Sequence, residues 1–293
     1  MLDDVLGLLR CPVCGEGLGR SAAGPVRCAA GHSFDVARQG YLNLLTGAPA
    51  PGTADTAAMV AAREGFLASG HYAPLTQAIT TAATELVHAA PGNGCVVDVG
   101  AGTGRHLGAV LDALPGRVGL ALDVSKYALR RAARAHPRAG AVVWDVWRPF
   151  PVADGVASLV LDVFSPRNAA EFHRVLVPGG GLLVVTPAPG HLRELAAPLG
   201  LLTVDERKDE RLGQALGTWF RAGYRTDLTV PMLLTHEQVA AVVGMGPSAR
   251  HIDPAELPVR IATLPSPVEV TATFHVSRYI RRADSGAGES VGE

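Results

Sequence analysis

The strongest constraint on the fold is a nine-residue stretch, Val96–Gly104, with the sequence V-V-D-V-G-A-G-T-G. Its first part is apolar and rich in β-branched residues, which is typical of a buried strand. The glycines allow a tight turn whose backbone can approach a ligand closely, because no Cβ stands in the way. A helical pattern follows from Arg105 to Leu114. A strand, a glycine turn and a helix N-terminus in this order predict a nucleotide-sized binding site.

A second strand and its terminal acid narrow the choice of ligand. This strand is predicted over residues 117–123 and ends in Asp123, where an acid accepts hydrogen bonds from a ribose diol in dinucleotide folds. The pattern G-A-G-T-G is tighter than G-x-G-x-x-G and has no lysine to hold a pyrophosphate. We therefore expect a nucleoside-like ligand without phosphates. The stretch resembles the first motif of class I S-adenosylmethionine (SAM) methyltransferases; the alternative is an ordinary tight turn between a strand and a helix.

Strand and helix patterns alternate through the middle of the chain, which predicts a parallel sheet covered on both faces. Asp145 follows the third strand, where an adenine ring and its amino group would lie, so we predict that it contacts adenine. The fold class expected is α/β: a Rossmann-like class I methyltransferase with a mostly parallel seven-stranded sheet and a small N-terminal zinc-binding domain. The predicted strands include residues 96–99, 118–123, 141–144, 156–163, 182–186 and 268–280.

A metal-binding pattern stands at the start of the chain. Three of the four cysteines lie within the first 28 residues, with the spacing C-x2-C-x13-C-x3-H. This spacing gives two ligand pairs suited to tetrahedral zinc, and a segment so small would need the metal to fold. The alternative is a set of free buried cysteines, and the fourth, Cys95, is expected in the core. The predicted ligands are Cys11, Cys14, Cys28 and His32.

Composition excludes several classes of protein. With 293 residues, of which 48% are hydrophobic, the chain can bury a large core. No apolar run reaches the roughly 18–20 residues of a membrane span, and the acidic N-terminus is unlike a signal peptide, so we expect a cytoplasmic protein. A net charge of −1 argues against a dominant nonspecific nucleic-acid binder. The best basic cluster lies on the helix predicted over residues 126–136, and it is either a solvated face or an RNA contact.

Longer motifs extend the resemblance over nearly the whole chain. The metal pattern, then G-Y-L-N-L-L at residues 40–45, then R-x2-F-L-x2-G-H-Y-x-P-L at residues 63–75, resembles the 23S ribosomal RNA guanine-N1 methyltransferases. So do L-D-V-S-K at residues 122–126 and the run at residues 186–195, T-P-A-P-G-H-L-R-E-L. The metal knuckle joined to G-H-Y-x-P-L is far more specific than the glycine loop.

The resemblance implies roles for particular residues. In that family the knuckle binds zinc and helps to hold the RNA, while the tyrosine of Gly-His-Tyr, the glycine loop and the histidine after Thr-Pro contact SAM. The alternative for Tyr72 is a core aromatic, and for His191 a helix-capping surface residue. A homodimer straddling the RNA is also implied. The predicted cofactor contacts are Tyr72, Asp98, Gly100, Gly102, Thr103, Gly104, Asp123, Asp145 and His191.

The family divides by its target in the helix 35 hairpin of 23S RNA. One branch modifies guanine 745; the other modifies guanine 748 and is linked to resistance against macrolides such as tylosin. The segments W-D-V-W-R-P at residues 144–149 and F-S-P-R-N at residues 164–168 look closer to the second branch. The expected division is a zinc-binding RNA-recognition domain (1–46), a linker (47–56), a SAM-dependent methyltransferase domain (57–282) and a disordered tail (283–293).

The residues after the fourth strand limit which atom is methylated. D-V-F-S-P at residues 162–166 departs from the Asn/Asp-Pro-Pro-Tyr/Phe motif common in enzymes that methylate exocyclic amines. Guanine N1 remains compatible, and its proton must leave as the methyl group arrives. We predict Asp162 as a base near N1, Arg167 as a donor to O6 and Phe164 as a stacking partner for the guanine. The alternative for Asp162 is a turn residue at the end of a strand.

Two other functions fit parts of the sequence. A small-molecule methyltransferase would share the glycine loop, but small substrates need no added zinc unit. A non-catalytic zinc-ribbon RNA-binding protein would share the knuckle, but the intact Gly100, Gly102, Gly104 set with Asp123 speaks against a decayed cofactor site.

Overall fold

The computed structural model describes residues 1–20, 24–47, 52, 54–202 and 208–284. Its strands are β1 Leu18–Gly19, β2 Val26–Cys28, β3 Ser33–Phe34, β4 Leu42–Asn43, β5 Cys95–Val99, β6 Gly119–Asp123, β7 Ala139–Val143, β8 Ala157–Val163, β9 Leu176–Pro187, β10 Phe220–Leu234 and β11 Val268–Arg281. Its α-helices are α1 Leu2–Val5, α2 Ala57–Ala68, α3 Ala73–Ala89, α4 Arg105–Ala113, α5 Lys126–Ala132, α6 Ala169–Val175, α7 Arg193–Leu199, α8 Lys208–Gly217, α9 His236–Gly244 and α10 Glu256–Ala262.

One large sheet carries the candidate site. Its strand order is β10-β11-β9-β8-β5-β6-β7-β4, and β5 to β9 and β4 run parallel, whereas β11 is antiparallel to both β9 and β10. The strand order reverses at β5, so the carboxyl ends of β5, β6 and β8 surround the crevice where such sheets bind ligands. This order is that of the class I methyltransferase fold, which confirms the predicted fold class. The eighth strand, β4, adds to the seven that the sequence predicted.

Both faces of the sheet are covered, as the continuous apolar strands require. All five residues of β5 are buried. One core lies between the sheet and helices that include α3, α4, α5, α7 and α9. The other lies under α6, α8 and the N-terminal residues. Within the described residues, no helix is both long and apolar enough to cross a membrane.

The N-terminal unit is joined directly to this sheet. Strand β4 pairs with β7, with Leu42 opposite Val142. Helix α1 lies against the same strand, where Gly140 leaves the space that Val5 fills. A separate antiparallel sheet, β1-β2-β3, carries the metal pattern. The domain boundary predicted at residue 46 stays a prediction. The structure shows in addition that the N-terminal unit contributes a strand, β4, to the main sheet.

The largest differences from the predicted elements concern β9, α5, α8 and α10. Strand β9 begins at Leu176, six residues before the predicted start; Leu176 pairs with Ala157 of β8, and after a bulge the pairing continues from Gly181. Helix α5 ends at Ala132 rather than at His136. Helices α8 and α10 were not predicted. The predicted disordered tail lies outside the described residues, apart from Ala283 and Asp284.

The short α5 changes the interpretation of the basic cluster. Arg138, beyond its end, donates hydrogen bonds to the carbonyl oxygens of Leu111, Leu114 and Arg117. The carbonyl oxygens of Leu111 and Leu114 also accept hydrogen bonds from the backbone of the turn after α4, so Arg138 reinforces this turn. Arg131 forms an ion pair with Glu64 of α2 at 3.2 Å. Arg138 therefore joins the segment after α5 to the end of α4, and Arg131 joins α5 to α2.

Substitution of Gly140 tests how tightly the N-terminal unit is attached. In Gly140→Ala the added Cβ would overlap Val5 Cγ2 and lie 3.4 Å from Val5 Cβ. Because overpacking forces neighbours to move, we expect the free energy of unfolding to fall by about 1–3 kcal/mol. Urea unfolding followed by circular dichroism measures this change. Gly7→Ala is the matched control, since a Cβ there has nothing within 4 Å; equal stability of both variants would show that α1 is loosely placed.

Candidate cofactor pocket and metal centre

The four predicted metal ligands come together at the small sheet. Cys11 and Cys14 lie on the turn before β1, Cys28 ends β2, and His32 precedes β3. Their ligand atoms all lie within 4.8 Å of one another. The sulfurs of Cys14 and Cys28 are 3.7 Å apart, and His32 Nδ1 lies 3.6 Å and 3.3 Å from the sulfurs of Cys11 and Cys28.

These distances fit a tetrahedral zinc ion. Zn–S bonds of about 2.3 Å and Zn–N bonds of about 2.0 Å separate two sulfurs by about 3.8 Å, and a sulfur from a nitrogen by about 3.5 Å. Burial acts to raise the pKa of Cys28, but hydrogen bonds from the backbone and ring of His32 outweigh it and lower that pKa to about 7. The thiolate that a metal requires is thus favoured. Four protein ligands leave no open position, as in structural zinc sites.

The glycine loop lies in the crevice at the carboxyl end of β5, and its glycines are needed where they stand. Gly100 and Gly102 have φ angles of +70° and +55°, which side chains rarely adopt. A Cβ on Gly100 would overlap Ser165 Oγ and lie 2.7 Å from Ser165 Cβ. At Gly104 a Cβ would lie 3.0 Å from the backbone of Ala132 in α5. The loop therefore packs directly against the segment after β8 and against α5.

A buried acid, Asp98, and a half-buried one, Asp123, lie beside this loop. Asp98 in β5 is 2% exposed, and burial together with the charge of Asp123 raises its pKa to about 7. Burial also raises the pKa of Asp123, which accepts hydrogen bonds from the backbone of Gly102 at 2.9 Å and Ser125 at 2.7 Å. Such a pair of carboxylates would be stabilised by a ligand that brings positive charge.

Ser165 supplies a second sign of a ligand in the crevice. Its Oγ is buried and has no hydrogen-bond partner among the described residues. Buried hydroxyls are seldom left unpaired, so a ligand or water atom is expected there. The neighbouring Phe164 has a φ of +57°, although its side chain is large and 46% exposed. A strained, exposed aromatic beside a ligand crevice is typical of functional sites.

Three predicted residues converge on one aromatic ring that the sequence analysis did not single out. Phe274 in β11 lies 5.1 Å from Tyr72, 5.7 Å from Phe164 and 4.9 Å from His191, measured between ring centroids. His191 Nδ1 lies 2.9 Å from the backbone oxygen and 3.2 Å from the backbone nitrogen of Thr273. Tyr72 is buried, and burial raises its pKa. The only sequence signal for Phe274 was its place on the apolar side of an alternating strand.

The two predicted catalytic residues lie together after β8. Asp162 is fully buried in the strand, and Arg167 Nε lies 3.8 Å from its Oδ1. The predicted adenine contact, Asp145, accepts a hydrogen bond from the backbone of Trp147 at 3.1 Å and lies 3.8 Å from Arg148 Nε. Asp162 and Asp145 thus each have an arginine nearby. Their roles in catalysis and in adenine binding stay predictions.

A cation above the glycine loop was also missed. The side chain of Arg63 in α2 reaches Gly102, so that an added Cβ there would lie 3.1 Å from Arg63 Nη1. Asp55, in the stretch predicted to be a linker, binds this arginine at 2.6 Å. Arg63 did belong to the motif R-x2-F-L, but that motif carries no indication of what its arginine touches.

The chain is similar to a family model, to other sequences and to a solved structure. Residues 9–47 match the zinc-ribbon family model described as RlmA, N-terminal. A 23S rRNA (guanine(748)-N(1))-methyltransferase from Streptomyces fradiae is 50% identical over 95% of this chain and 99% of its own. A Micromonospora griseorubida protein, provisionally assigned as a 23S rRNA (guanine-N(1)-)-methyltransferase, is 55% identical with the same coverage. A Thiobacillus denitrificans methyltransferase structure with S-adenosyl-L-homocysteine is 18% identical, with a TM-score of 0.45, over 69% of this chain and 91% of that one.

The sheet order, the glycine loop and the acid that ends β6 define a class I methyltransferase. The identity to two relatives over nearly their whole length then gives the family. The chain belongs to the 23S rRNA (guanine-N(1)-)-methyltransferases, which confirms the resemblance that the sequence motifs indicated.

Substitution of one ligand tests the metal centre. Cys14 is exposed, so Cys14→Ser removes a thiolate and leaves the packing intact. We expect bound zinc to fall from about one ion per chain to a small fraction, because a structural site needs all four ligands. Metal analysis after gel filtration measures this loss. Cys95→Ala is the control, since that thiol is buried in β5; full zinc in the Cys14 variant would refute the ligand set.

Proposed function

We propose that this protein transfers a methyl group from SAM to N1 of a guanine in the helix 35 hairpin of 23S rRNA, with guanine 748 favoured over 745. The observation that carries the proposal is the joining of a zinc ribbon and a class I methyltransferase sheet in one chain, with 50% identity to a guanine-748 enzyme over nearly its whole length. We also propose that the protein acts in the cytoplasm, forms a homodimer and has a role in tylosin resistance.

The crevice suits SAM in charge and in shape. Bound SAM would supply the methyl group as an electrophile on a positively charged sulfonium. Burial and the charge of Asp123 raise the pKa of Asp98, so the positive charge of the ligand would stabilise the Asp98 carboxylate, while Asp123 would accept hydrogen bonds from the ribose hydroxyls. The left-handed turn at Gly100 and Gly102 would let the ligand approach the backbone. Tyr72 and His191, both against Phe274, would close the far side.

The acceptor side would be formed by the segment after β8. Phe164 is exposed and held by the contact of its ring with Phe274, so it offers a flat face on which a splayed-out guanine can stack. Transfer breaks the bond between the methyl carbon and sulfur, forms the bond to N1 and releases the N1 proton. Asp162 would accept that proton, and Arg167 would donate a hydrogen bond to O6 as negative charge spreads onto it.

The zinc ribbon would select the RNA. A small-molecule enzyme has no use for such a unit, whereas an RNA hairpin must be held by its shape and its backbone. Since the unit shares the main sheet through β4 and α1, it would present the hairpin to the crevice in a fixed orientation. Binding would rest on these local contacts, because the net charge of the chain is only −1.

A transfer assay on RNA tests the proposed function. Labelled SAM is incubated with the protein and 23S rRNA, and reverse transcription locates the product, since a methyl on N1 blocks base pairing. We expect one strong stop, at guanine 748. A stop at guanine 745 would keep the reaction and change the branch, and an absence of any stop in helix 35 would refute the proposal.

The role of Asp162 is tested by measuring the transfer rate of an Asp162 variant as a function of pH. Asp162→Asn keeps the size of the side chain and removes the base, so the single-turnover rate should fall by about 100-fold or more. Because an amide cannot accept the N1 proton, the rate should stay low at every pH from 5 to 8. Asp112→Asn, on the exposed face of α4, is the control with an equal change of charge. A variant with the full rate at every pH would remove Asp162 from the mechanism.

A further inference from the structure

Arg63 lies over the glycine loop from a helix that is distant from it in sequence. Its side chain is 26% exposed, and its Nη1 atom would lie 3.1 Å from a Cβ added to Gly102. This is the space that a ligand of the glycine loop would enter. The guanidinium therefore stands at the edge of the proposed cofactor pocket.

The position of the guanidinium is fixed from two sides. Its Nη1 atom pairs with Asp55 Oδ2 at 2.6 Å, and its Nη2 atom donates a hydrogen bond to the carbonyl oxygen of Met245 at 2.8 Å. Asp55 in turn lies 3.5 Å from Arg250, whose other nitrogen binds the carbonyl oxygen of Gly52. An arginine held in this way loses little further freedom when it binds a ligand.

Asp55 is also tied to the other side of the loop. Its carbonyl oxygen accepts a hydrogen bond from Ser125 Oγ at 2.7 Å. The backbone of Ser125 is bound by Asp123, which also holds the backbone of Gly102. One residue thus connects the arginine above the loop to the acid beside it.

The charged side chains around the loop suit both charged groups of the methionine part of SAM. The described side chains that act on Asp123 include the acids Asp98 and Asp55 and the cation Arg63. The methionine part of SAM carries an ammonium group and a carboxylate. Acids favour the ammonium, whereas the carboxylate needs a cation, and the planar fork of arginine matches a carboxylate with two parallel hydrogen bonds.

We propose that Arg63 binds the carboxylate of the cofactor's methionine part, and that Asp55 is the residue that positions Arg63 for it. This assignment rests on the proposed function, since it concerns the same cofactor. The competing cation is Arg105, the first residue of α4, which borders a surface groove beside Tyr72. The structure shows Arg63, and not Arg105, in close approach to Gly102.

The contact is tested by removing the charge of Arg63 and the carboxylate of the ligand separately and then together. Isothermal calorimetry is carried out on the full chain with SAM and with decarboxylated SAM, which lacks only the carboxylate. Wild type should bind SAM about 10- to 100-fold more tightly, as expected for a charge-assisted pair of hydrogen bonds. In Arg63→Met the two ligands should bind within about threefold of each other, because the partner of the carboxylate is gone.

Further variants separate recognition from folding. Arg63→Lys should restore part of the preference for SAM, since it keeps the charge and loses the fork. Asp55→Asn should reduce the preference less than Arg63→Met does. Arg105→Met should keep the full preference, and a thermal melt of each variant shows that it is folded.

Several outcomes would overturn the assignment. An Arg63→Met protein that is folded and still prefers SAM by the wild-type factor would exclude the contact, and so would a preference lost in Arg105→Met instead. Equal weakening of both ligands would give Arg63 a purely structural role. If the wild type bound neither ligand, the proposed function itself would fail and this assignment with it, which calorimetry distinguishes from the other cases.

Discussion

The cofactor site depends on how closely the glycine loop approaches the segments around it. Gly100 touches Ser165 after β8, Gly104 touches α5, and the backbone of Gly102 is bound by Asp123 at the end of β6. The contacts of Gly100 and Gly104 are closer than a side chain at these positions would permit. The carboxyl ends of three strands can therefore meet around one crevice, with Asp98 buried and Asp123 half-buried beside it.

The same sheet sets the position of the metal unit. The zinc ligands lie on a small separate sheet, but α1 and β4 attach the unit to β7, at the edge next to the strand that ends in Asp123. The metal then has two effects. It supplies folding energy to a segment with little core of its own, and it stabilises a surface whose distance from the crevice the main sheet fixes. A hinged unit would offer RNA a range of orientations instead.

Sequence patterns predicted the features that depend on neighbours in the chain. Hydrophobic periodicity located β5, β6 and β8 to within one or two residues. Ligand spacing predicted the four residues that gather at the metal centre, because two short turns bring each pair together. The early start of β9 was missed because Pro178 and three glycines read as a turn. In the structure residues 177–180 do bulge away from β8, between the pair Leu176–Ala157 and the continuous pairing that begins at Gly181.

The part of the site that the sequence could not give consists of contacts between distant segments. Phe274 gathers Tyr72, Phe164 and His191 from three parts of the chain, and Arg63 binds a carbonyl group 182 residues away. An alternating strand shows that a residue faces the core, but not which rings it meets there. Likewise, a motif can contain an arginine without showing its partner. The glycine loop indicates which methyl donor is bound. Only the fold brings together the residues that would hold the methionine part of that donor and present the guanine.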